Sequence, residues 1–352
     1  MRRYQIVEVT ESLNHAGSKA TADFAKIADE CGYERVNIKM NTTAESKIAK
    51  LQRQIGYYFD WNKCYDAIEN ESVVVLQHPF HHKQFTRESI LSKLKNNKKV
   101  KFISIVHDVE ELRQFMNNQE YYQHEFEFML EIADVIVVHN SKMLNFFIEK
   151  GVHKSKLVNL EIFDYLQNKD KNKVINFSKT ITIAGNLDTT KCKYIGELDK
   201  INNIEINLYG PNFNEKLNKN KNIHYKGVLS PDEVPNVLTE GFGLVWDGDG
   251  IKGGMGKAGN YIRYNNPHKL SLYLSSGLPV VIWKEAAEAE FVKKNNLGIL
   301  VDSLDELSDI IPNLNEIEYM NMVKSVNKIA QQLVSGYFGK KAIDEAEQCI
   351  IK

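Results

Sequence analysis

Apolar runs alternate with amphipathic segments along the first half of the chain. The apolar runs predict strands at Tyr4–Val9, Arg35–Ile38, Ser72–Leu76, Phe102–Val106, Val135–Val138 and Lys156–Leu160. The first amphipathic segment is expected to be a helix that starts at Ser18 as its N-cap and stops at Gly32. Buried strands separated by amphipathic helices predict a parallel sheet that is covered on both faces.

A polar segment without periodicity, residues 167–179 (Q-N-K-D-K-N-K-V-I-N-F-S-K), interrupts this alternation and is predicted to be a linker. Strands are then predicted at Thr180–Ala184, Ile204–Tyr209, Ile223–Lys226, Gly243–Trp246, Val280–Trp283 and Gly298–Val301. The expected fold is therefore α/β, with two doubly wound Rossmann-like domains, 1–166 and 180–334, facing each other across a cleft. A helical tail, 335–352, is expected to pack back on the first domain. Ligands of such domains bind at the carboxyl ends of the strands.

The segment Tyr264–Trp283 (Y-N-N-P-H-K-L-S-L-Y-L-S-S-G-L-P-V-V-I-W) predicts a helix that could bind an anion at its amino end. Asn266 is a good N-cap, and Pro267 suits the first helical position. Gly277 is expected to end the helix. Lys269 in the first turn opposes the helix dipole, so its position makes sense if a phosphate binds between it and the first N–H groups. The alternative is a well-capped helix with a solvated lysine.

The loop after the fourth predicted strand carries several ionisable side chains. It reads V-H-D-V-E-E-L-R (Val106–Arg113). A carboxylate next to a histidine, here Asp108 and His107, suits proton abstraction from a hydroxyl. Glu110 and Glu111 are alternates for the base. The other interpretation is that Asp108 caps the next helical turn while His107 packs.

Three further loops follow predicted strands. Gly17 and Ser18 belong to a small loop whose N–H groups could face a sugar or phosphate, although it lacks a dinucleotide fingerprint. Asn186 lies in an A-G-N-L-D loop, and Lys191 just beyond it could reach a phosphate. Tyr209 at a strand end could stack on a base. The alternatives are a connecting loop, a tight turn with a surface lysine, and a buried tyrosine.

Two glycine-containing segments suggest known motifs without matching them. Asp247-Gly248-Asp249 is similar to an Asp-x-Asp metal motif, but no further oxygen ligands surround it, so we expect no metal there. Asp247 is instead a candidate contact for a substrate hydroxyl. Gly250–Gly259 fails the Walker pattern, and Gly253–Gly259 within it suggests a mobile lid over the cleft or a disordered loop.

Composition narrows the class of protein. The chain has 352 residues, 43% of them hydrophobic and 26% charged, with a net charge of −1. These values fit a globular protein of about two domains and argue against a nucleic-acid partner. Four cysteines without metal-type spacing indicate a reducing compartment, and the sequence shows no signal core, so we expect a cytoplasmic protein. The basic run Lys93–Lys101 is either a peripheral membrane contact or a solvated helix end.

Several motifs, taken in order, resemble one family. They are I-V-H-D-V-E-E-L-R (Ile105–Arg113), I-F-D-Y-L (Ile162–Leu166), A-G-N-L (Ala184–Leu187), K-C (Lys191-Cys192), G-F-G-L-V-W-D-G-D (Gly241–Asp249) and the segment Tyr264–Trp283. Together they resemble the bacterial O-antigen and capsule β-1,6-galactofuranosyltransferases. More distantly, the chain is similar to the glucosyltransferases that extend O-linked GlcNAc on streptococcal serine-rich adhesins, which have a serine-tyrosine pair where Pro267-His268 stands.

The resemblance implies a GT-B fold, a UDP-sugar donor that is UDP-galactofuranose, an inverting reaction and no metal or other cofactor. It implies that Lys269 grips the pyrophosphate and that Tyr209 lies against the nucleotide. The remaining donor-side candidates are Asn186, Lys191, Asp247, Asn265, Asn266 and His268. Family members often carry an arginine in the G-N-L loop, which is missing here.

The expected reaction is a single displacement, with Asp108 as the base and His107 and Glu111 as the other catalytic candidates. The acceptor is expected to be a growing surface glycan, either free or carried on a lipid at the inner face of the membrane. The alternatives are a UDP-glucose-dependent glucosyltransferase and a non-catalytic GT-B partner subunit. An epimerase is disfavoured because the chain lacks an NAD fingerprint. A homo-oligomer stays open.

Overall fold

The computed structural model describes residues 1–10, 16–114, 117–167, 173–190, 192–217 and 220–351, and the chain divides into two compact units. The amino-terminal unit consists of Met1–His139, Met143–Leu160 and Gly339–Lys352. The carboxy-terminal unit consists of Asn140–Lys142 and Glu161–Phe338. The last helix therefore leaves the carboxy-terminal unit and ends in the amino-terminal one.

The first sheet is parallel throughout its described strands. These are β1 (Arg3–Thr10), β2 (Glu34–Met40), β3 (Val73–His78), β4 (Lys101–Val106), β5 (Val135–Val138) and β6 (Leu157–Asn159). The connecting helices are α1 (Ala16–Glu30), α2 (Lys47–Ala67), α3 (Arg87–Lys98), α4 (Glu110–Arg113), α5 (Gln119–Ile132) and α6 (Ser141–Glu149), and a 3-10 turn covers Lys154–Lys156. The strand order is β2-β1-β3-β4-β5-β6, so the winding reverses between β1 and β3.

Apolar clusters on the described helices and strands form much of the core of this unit. One packs Trp61 and Tyr57 of α2 and Leu91 of α3 against β1, β3 and β4. Another packs Phe126 of α5 and Phe147 of α6 against the ends of β4 and β5. Strands buried on both faces explain why β3, β4 and β5 read as nearly continuous apolar runs in the sequence.

The second sheet is likewise parallel. Its described strands are β7 (Asn176–Ala184), β8 (Glu205–Tyr209), β9 (Ile223–Tyr225), β10 (Glu240–Val245), β11 (Val280–Trp283) and β12 (Gly298–Val301). The helices that follow in chain order are α7 (Val234–Val237), α8 (Gly256–Tyr261), α9 (His268–Ser275), α10 (Ala289–Lys294), α11 (Leu307–Asn313), α12 (Glu316–Val334) and α13 (Tyr337–Ile351). Three 3-10 segments cover Lys193–Lys200, Glu215–Leu217 and Leu304–Glu306.

The strand order of the second sheet is β12-β11-β10-β7-β8-β9, so its winding reverses between β7 and β10. These two strands pair in parallel, with Phe242 opposite Ile181 and Gly243 opposite Thr182. Their carboxyl ends therefore lie side by side. Such a switch point is where open α/β sheets bind ligands, because the loops from the two strands diverge there and leave a crevice.

Two boundaries differ from the sequence prediction at this junction. Strand β7 begins at Asn176, so residues 176–179 are strand and not linker, and β10 spans Glu240–Val245, where the sequence predicted Gly243–Trp246. The first pair of the ladder is Glu240 with Asn176. Backbone pairing needs no apolar side chains, so a polar strand end leaves no trace in the hydrophobic pattern.

The first helix also begins earlier than predicted. Gly17 and Ser18 lie inside the first turn of α1, which starts at Ala16, so the expected loop at these residues and the N-cap at Ser18 are wrong. Asn14 and His15, which precede this helix in the sequence, lie outside the described residues. Small residues are tolerated in a first helical turn, since its N–H groups have no intrahelical partners to lose.

The last helix carries its charged side chains onto the amino-terminal unit. Glu347 of α13 accepts from Arg3 Nε at 2.6 Å and from the Tyr33 hydroxyl at 2.7 Å. Lys340 pairs with Glu30 at 2.7 Å. Burial, followed by the bond to Glu347, raises the pKa of Tyr33 well above its ordinary value.

Within the described ranges, we find no helix with the length and apolar character needed to cross a bilayer.

Candidate functional site

Helix α9 begins one residue later than its sequence predicts. Pro267 has extended backbone (φ −70°, ψ 126°) and is the N-cap, and the helix carries no side-chain cap. The predicted N-cap, Asn266, is wrong because its buried side chain is used elsewhere: Nδ2 donates to the Glu161 carbonyl at 3.1 Å. Gly277 follows the helix with φ +91°, as predicted. Lys269 is therefore the second helical residue, in the turn where the dipole favours an anion.

The side chain of Lys269 lies at the switch point between β7 and β10. Its Nζ donates to the Trp246 carbonyl at 3.1 Å and contacts Asp247 Oδ1 at 2.9 Å, and both acceptors directly follow β10. On the β7 side, a Cβ placed on Gly185 would lie 3.4 Å from Lys269 Cε. Burial lowers the pKa of Lys269, whereas the Asp247 carboxylate, followed by Tyr194 and Cys192, raises it, and the net shift is upward. Lys269 is thus a cation whose counterion is Asp247.

A cysteine shares this counterion. Cys192 Sγ lies 3.7 Å from Asp247 Oδ1, within reach of a thiol hydrogen bond. Burial raises the pKa of Cys192 to about 11; the Asp247 charge adds to this and the Lys269 charge opposes it. The thiol therefore stays protonated at neutral pH and serves as a weak donor to Asp247, not as a nucleophile.

A tyrosine holds α9 against the sheet. The backbone N–H of Ala184, the last residue of β7, donates to the Tyr273 hydroxyl at 2.8 Å. A Cβ on Gly243 of β10 would come within 2.1 Å of the Tyr273 ring, so only glycine allows the ring to lie there. Burial raises the pKa of Tyr273 to about 12, which keeps the hydroxyl neutral. This contact fixes the position of Lys269, one turn earlier on the same helix.

Two of the other predicted donor-side residues, Asn186 and Tyr209, lie at the ends of strands next to the Lys269 site. Asn186 Oδ1, beside Gly185, accepts from Asn212 Nδ2 at 3.0 Å, so it ties the loop after β7 to the loop after β8. Tyr209 ends β8 opposite Ala184 and is half-buried, which raises the pKa of its hydroxyl. These two residues lie beside the Lys269 site. The predicted second phosphate contact, Lys191, lies outside the described residues.

Asn265, Asn266 and His268 contact other parts of the carboxy-terminal unit. The Asn265 carbonyl accepts from Asn140 Nδ2 at 3.5 Å. The His268 ring lies 5.0 Å from that of Tyr165 and 6.4 Å from that of Phe163. These contacts connect the amino end of α9 to the segment that begins at Glu161.

The glycine-rich segment after β10 is packed against a tryptophan. A Cβ on Gly253 would lie 2.0 Å from the Trp283 indole, and one on Gly254 would lie 2.5 Å from it. Gly253 N–H donates to the Asp302 carbonyl at 2.9 Å, and the backbones of Lys252 and Ser303 form an isolated antiparallel β-bridge. The structure thus gives these glycines a packing role: they let the chain lie directly on a large ring.

Both aspartates of the Asp247-Gly248-Asp249 motif are paired with lysines. Asp247 contacts Lys269, and Asp249 contacts Lys193 at 2.8 Å. Among the residues that the structure describes, no group of three or more His, Cys, Asp and Glu side chains is arranged to hold a metal ion. Asp247 therefore serves here as the counterion of Lys269.

In the amino-terminal unit, Arg113 gathers two of the predicted carboxylates. Its Nη1 lies 2.6 Å from Asp108 Oδ2 and 3.2 Å from Glu110 Oε1. The Glu110 side chain is 1% exposed and that of Asp108 is 27% exposed. Glu111 points elsewhere and pairs with Lys150. Asp108 and Glu111 are thus both accessible and ion-paired, whereas Glu110 is buried.

His107 is held by the end of β3. Its Nε2 lies 2.7 Å from Gln77 Oε1, while Gln77 Nε2 donates to the Thr21 carbonyl at 3.2 Å. Because the amide nitrogen of Gln77 is used as a donor to Thr21, the oxygen faces His107, and Nε2 must carry the hydrogen. The histidine is thus tethered next to Asp108, and its ring packs edge-on to Phe24 at 6.4 Å.

One histidine in this region was missed by sequence reasoning. His139 directly follows β5, is 1% exposed and bonds to the backbone of Val106 and His107. Burial lowers the pKa of His139 to about 4, although the two backbone bonds raise it in part. The imidazole therefore stays neutral at neutral pH. It therefore supports the loop that carries Asp108. A polar residue directly after a buried strand was the available signal.

Comparison with known families identifies the chain. Residues 3–162 match the family model described as "Glucosyltransferase 3-like, N-terminal domain", and residues 181–346 match "Glucosyltransferase 3-like, C-terminal domain". The chain belongs to the Glucosyltransferase 3-like family. The two matched domains correspond to the two sheets described above, and the resemblance seen in the sequence motifs is confirmed.

Members and relatives of the Glucosyltransferase 3-like family align along nearly the whole chain. The β-1,6-galactofuranosyltransferase WbbI of Escherichia coli (strain K12) is 28% identical over 344 residues, which cover 97% of each chain. Glucosyltransferase 3 of Streptococcus gordonii is 26% identical over 328 residues, which cover 93% of this chain and 92% of the relative.

Solved structures confirm the fold. Anabaena HepE, crystallised with UDP and glucose, superposes with a TM-score of 0.61 at 11% identity and covers 99% of this chain and 100% of its own. The present chain, with its two doubly wound parallel sheets, therefore has the GT-B fold that the sequence predicted.

Proposed function

We propose that the chain transfers a galactofuranosyl residue from UDP-galactofuranose to a bacterial surface-glycan acceptor, with inversion at the anomeric carbon. The observation that carries this proposal is the position of Lys269: a protonated lysine in the first turn of α9, at the switch point of the second sheet. The likeness to WbbI over 97% of both chains supports galactofuranose as the sugar.

In this proposal the diphosphate of the donor binds between Lys269 and the first N–H groups of α9. The leaving UDP gains negative charge as the glycosidic bond breaks. A fixed cation and aligned N–H groups stabilise that charge without reorganising, and each such donor is worth on the order of 3 kcal/mol of barrier. Asn186 and Tyr209 are proposed to line the donor side, with the tyrosine against the nucleotide.

Asp108 is the proposed base, since it directly follows His107 just after the end of β4, whereas Glu110 is buried; Glu111, which is exposed and paired with Lys150, is the alternate. The ion pair with Arg113 favours the ionised carboxylate, the form that accepts a proton. As the acceptor hydroxyl attacks the anomeric carbon, its proton passes to Asp108, the new glycosidic bond forms, and UDP departs from the opposite face with the bonding electrons. His107 positions Asp108 through its tether to Gln77.

Two comparisons support UDP-glucose as a second candidate donor. The domain models are named for Glucosyltransferase 3, and the relative from Streptococcus gordonii carries that name. UDP-glucose is therefore the alternative donor.

The test is a calorimetric panel of UDP-galactofuranose, UDP-galactopyranose, UDP-glucose and UDP-GlcNAc, each with and without EDTA, followed by NMR of the product linkage. We expect the furanose donor to bind tightest, EDTA to have no effect and the product to be the inverted anomer. Preference for UDP-glucose would replace the donor assignment. Absence of binding by all four would favour a non-catalytic partner subunit.

A further inference from the structure

Helix α2 exposes a stripe of large apolar side chains. Its members are between 51% and 72% exposed: Ile48, Leu51, Ile55, Tyr58 and Phe59. Their spacing of three, four, three and one residues places them on one face of the helix, about 100° wide. The other face is buried in the unit through Tyr57, Trp61 and Cys64. The stripe is therefore a second apolar face on a helix whose core face is already satisfied.

The loop after β3 extends this stripe. Gln54 Nε2 donates to the Lys83 carbonyl at 2.8 Å, and the Phe85 N–H donates to Gln54 Oε1 at 3.1 Å. This amide clamp holds Phe85 beside the helix, where its side chain is 72% exposed. Phe85, Leu51 and Tyr57 line a pocket of about 420 Å³. The apolar surface is thus built from two segments that are held together.

Exposed lysines flank the amino-terminal half of the stripe. Lys47 on α2 and Lys83 in the adjoining loop are exposed, and Lys50 is exposed but pairs with Glu45 at 2.9 Å. Arg53 is only 13% exposed and donates to the Thr42 and Ala44 carbonyls. Lys83 Nζ lies 5.8 Å from the centre of the Phe85 ring. A helix with an exposed apolar face and flanking lysines and arginines is suited to lie in the interface of a membrane that contains anionic lipids.

A second copy of the chain fits this surface less well. A two-fold axis through the amino-terminal half of the stripe would bring the same cations of both copies together, which costs free energy. An anionic lipid surface instead meets the cations with phosphates and the apolar side chains with acyl chains.

Three of the five lysines in the basic run Lys93–Lys101, which the sequence suggested for membrane contact, are engaged within their own unit. Lys98 Nζ donates to the Ile68 carbonyl at 2.7 Å and lies 4.4 Å from the centre of the Tyr65 ring. Lys95 and Lys101 both pair with Asp134, at 3.3 Å and 3.1 Å. These three lysines have protein partners that lipid headgroups would have to displace.

We propose that the exposed face of α2, together with Phe85, docks the protein on an anionic lipid surface. The stripe from Ile48 to Phe59 is about 16 Å long, and it would lie parallel to the membrane with its side chains in the headgroup and acyl boundary. This proposal does not depend on which sugar nucleotide the carboxy-terminal unit binds.

The test is sedimentation of the full-length protein with vesicles of phosphatidylcholine alone and with added phosphatidylglycerol. We expect binding to the anionic vesicles, weakened by salt, and at least tenfold weaker partition for the double variant Leu51→Ser/Ile55→Ser. The matched control is Ile317→Ser on α12, which removes a 75% exposed apolar side chain in the other unit and should leave partition unchanged. Equal partition of the double variant and the wild type would overturn the proposal.

A second measurement locates the lipid contact and separates it from self-association. Tyr58→Trp places a fluorophore on the stripe, and brominated lipids should quench its emission but not that of Ile317→Trp. Light scattering gives the oligomeric state of the wild type and of Leu51→Ser/Ile55→Ser. A dimer that the double variant converts to monomer, with vesicle binding unchanged, would assign the stripe to a self-interface and contradict the lipid proposal. Equal thermal midpoints would show that the variants fold.

Discussion

Lys269 Nζ lies 2.9 Å from Asp247 Oδ1, so the cation in the first turn of α9 is already paired before any ligand arrives. Both side chains are mostly buried, with 21% and 28% exposed. A lysine at this end of a helix is unfavourable by itself, and the carboxylate offsets that cost. A bound diphosphate would take over part of the role of Asp247. This exchange of counterions is the physical core of the proposed donor site, and it leads to the first two predictions.

Lys269→Met keeps the apolar stem and removes the charge. We expect UDP affinity and turnover both to fall, with the barrier raised on the order of 3 kcal/mol, because the leaving group loses its fixed cation. Calorimetry with UDP and initial-rate measurements check this. Lys193→Met is the control, since Lys193 pairs with Asp249 and is 55% exposed. An unchanged UDP titration for Lys269→Met would remove the phosphate role.

Asp247→Asn keeps the shape of the side chain and removes the counterion. We expect the free energy of unfolding to drop by roughly 1 to 2 kcal/mol, since a mostly buried lysine loses its partner. Saturating UDP should then raise the melting temperature of the variant by more than it raises that of the wild type, because the diphosphate supplies the missing charge. Thermal unfolding with and without UDP measures this. An equal shift for both proteins would mean that the two anions do not share Lys269.

Asp108→Asn should leave UDP binding intact and reduce transfer at least a hundredfold, because the amide cannot accept the acceptor proton. The matched control is Glu111→Gln in the same loop, whose carboxylate pairs with Lys150 and should be dispensable for turnover. Binding is measured by calorimetry and transfer by product formation. Near-normal turnover of Asp108→Asn would exclude it as the base.

Glu288→Gln should flatten the pH dependence of stability. Burial raises the pKa of Glu288 to about 8 from 4.5; the nearby Glu161 charge adds to this and the bond with Asn140 opposes it. Between these two values the folded state binds more protons than the unfolded state, so the stability present below pH 4.5 is lost as the pH rises to about 8. The variant should be more stable than the wild type by roughly 2 to 4 kcal/mol near pH 8.

Urea unfolding at about pH 5 and about pH 8 checks this sign. Glu290→Gln is the control, because Glu290 lies two residues further along and is exposed. Parallel pH profiles for Glu288→Gln and the wild type would show that the carboxyl is not protonated in the folded protein.

Much of the fold could be predicted from the sequence because it depends on burial. Strands β5, β11 and β12 have the predicted bounds, since each is a short apolar run followed directly by a polar residue. Boundaries made of small or polar residues were missed. Asn176 starts β7 and Ala16 starts α1, and neither position has a side chain that reports its backbone pairing.

The candidate site was likewise predictable only in part from the sequence. The pattern around Pro267 and Gly277 was enough to predict a helix with Lys269 in its first turn, and the motif order was enough to identify the family. The partners of that lysine were not predictable, because Asp247 and Cys192 are distant in the sequence and meet only when β10 and the loop after β7 lie side by side.

The sequence by itself determined which segments are strands and helices, and which chemical groups follow them, because local periodicity and capping depend on near neighbours along the chain. Only the tertiary structure decided which of those groups meet. It paired Lys269 with Asp247, used Asn266 to bind Glu161 and laid Gly253 on Trp283. The physical reason is that strand order and register bring together residues whose separation in the chain carries no local signal.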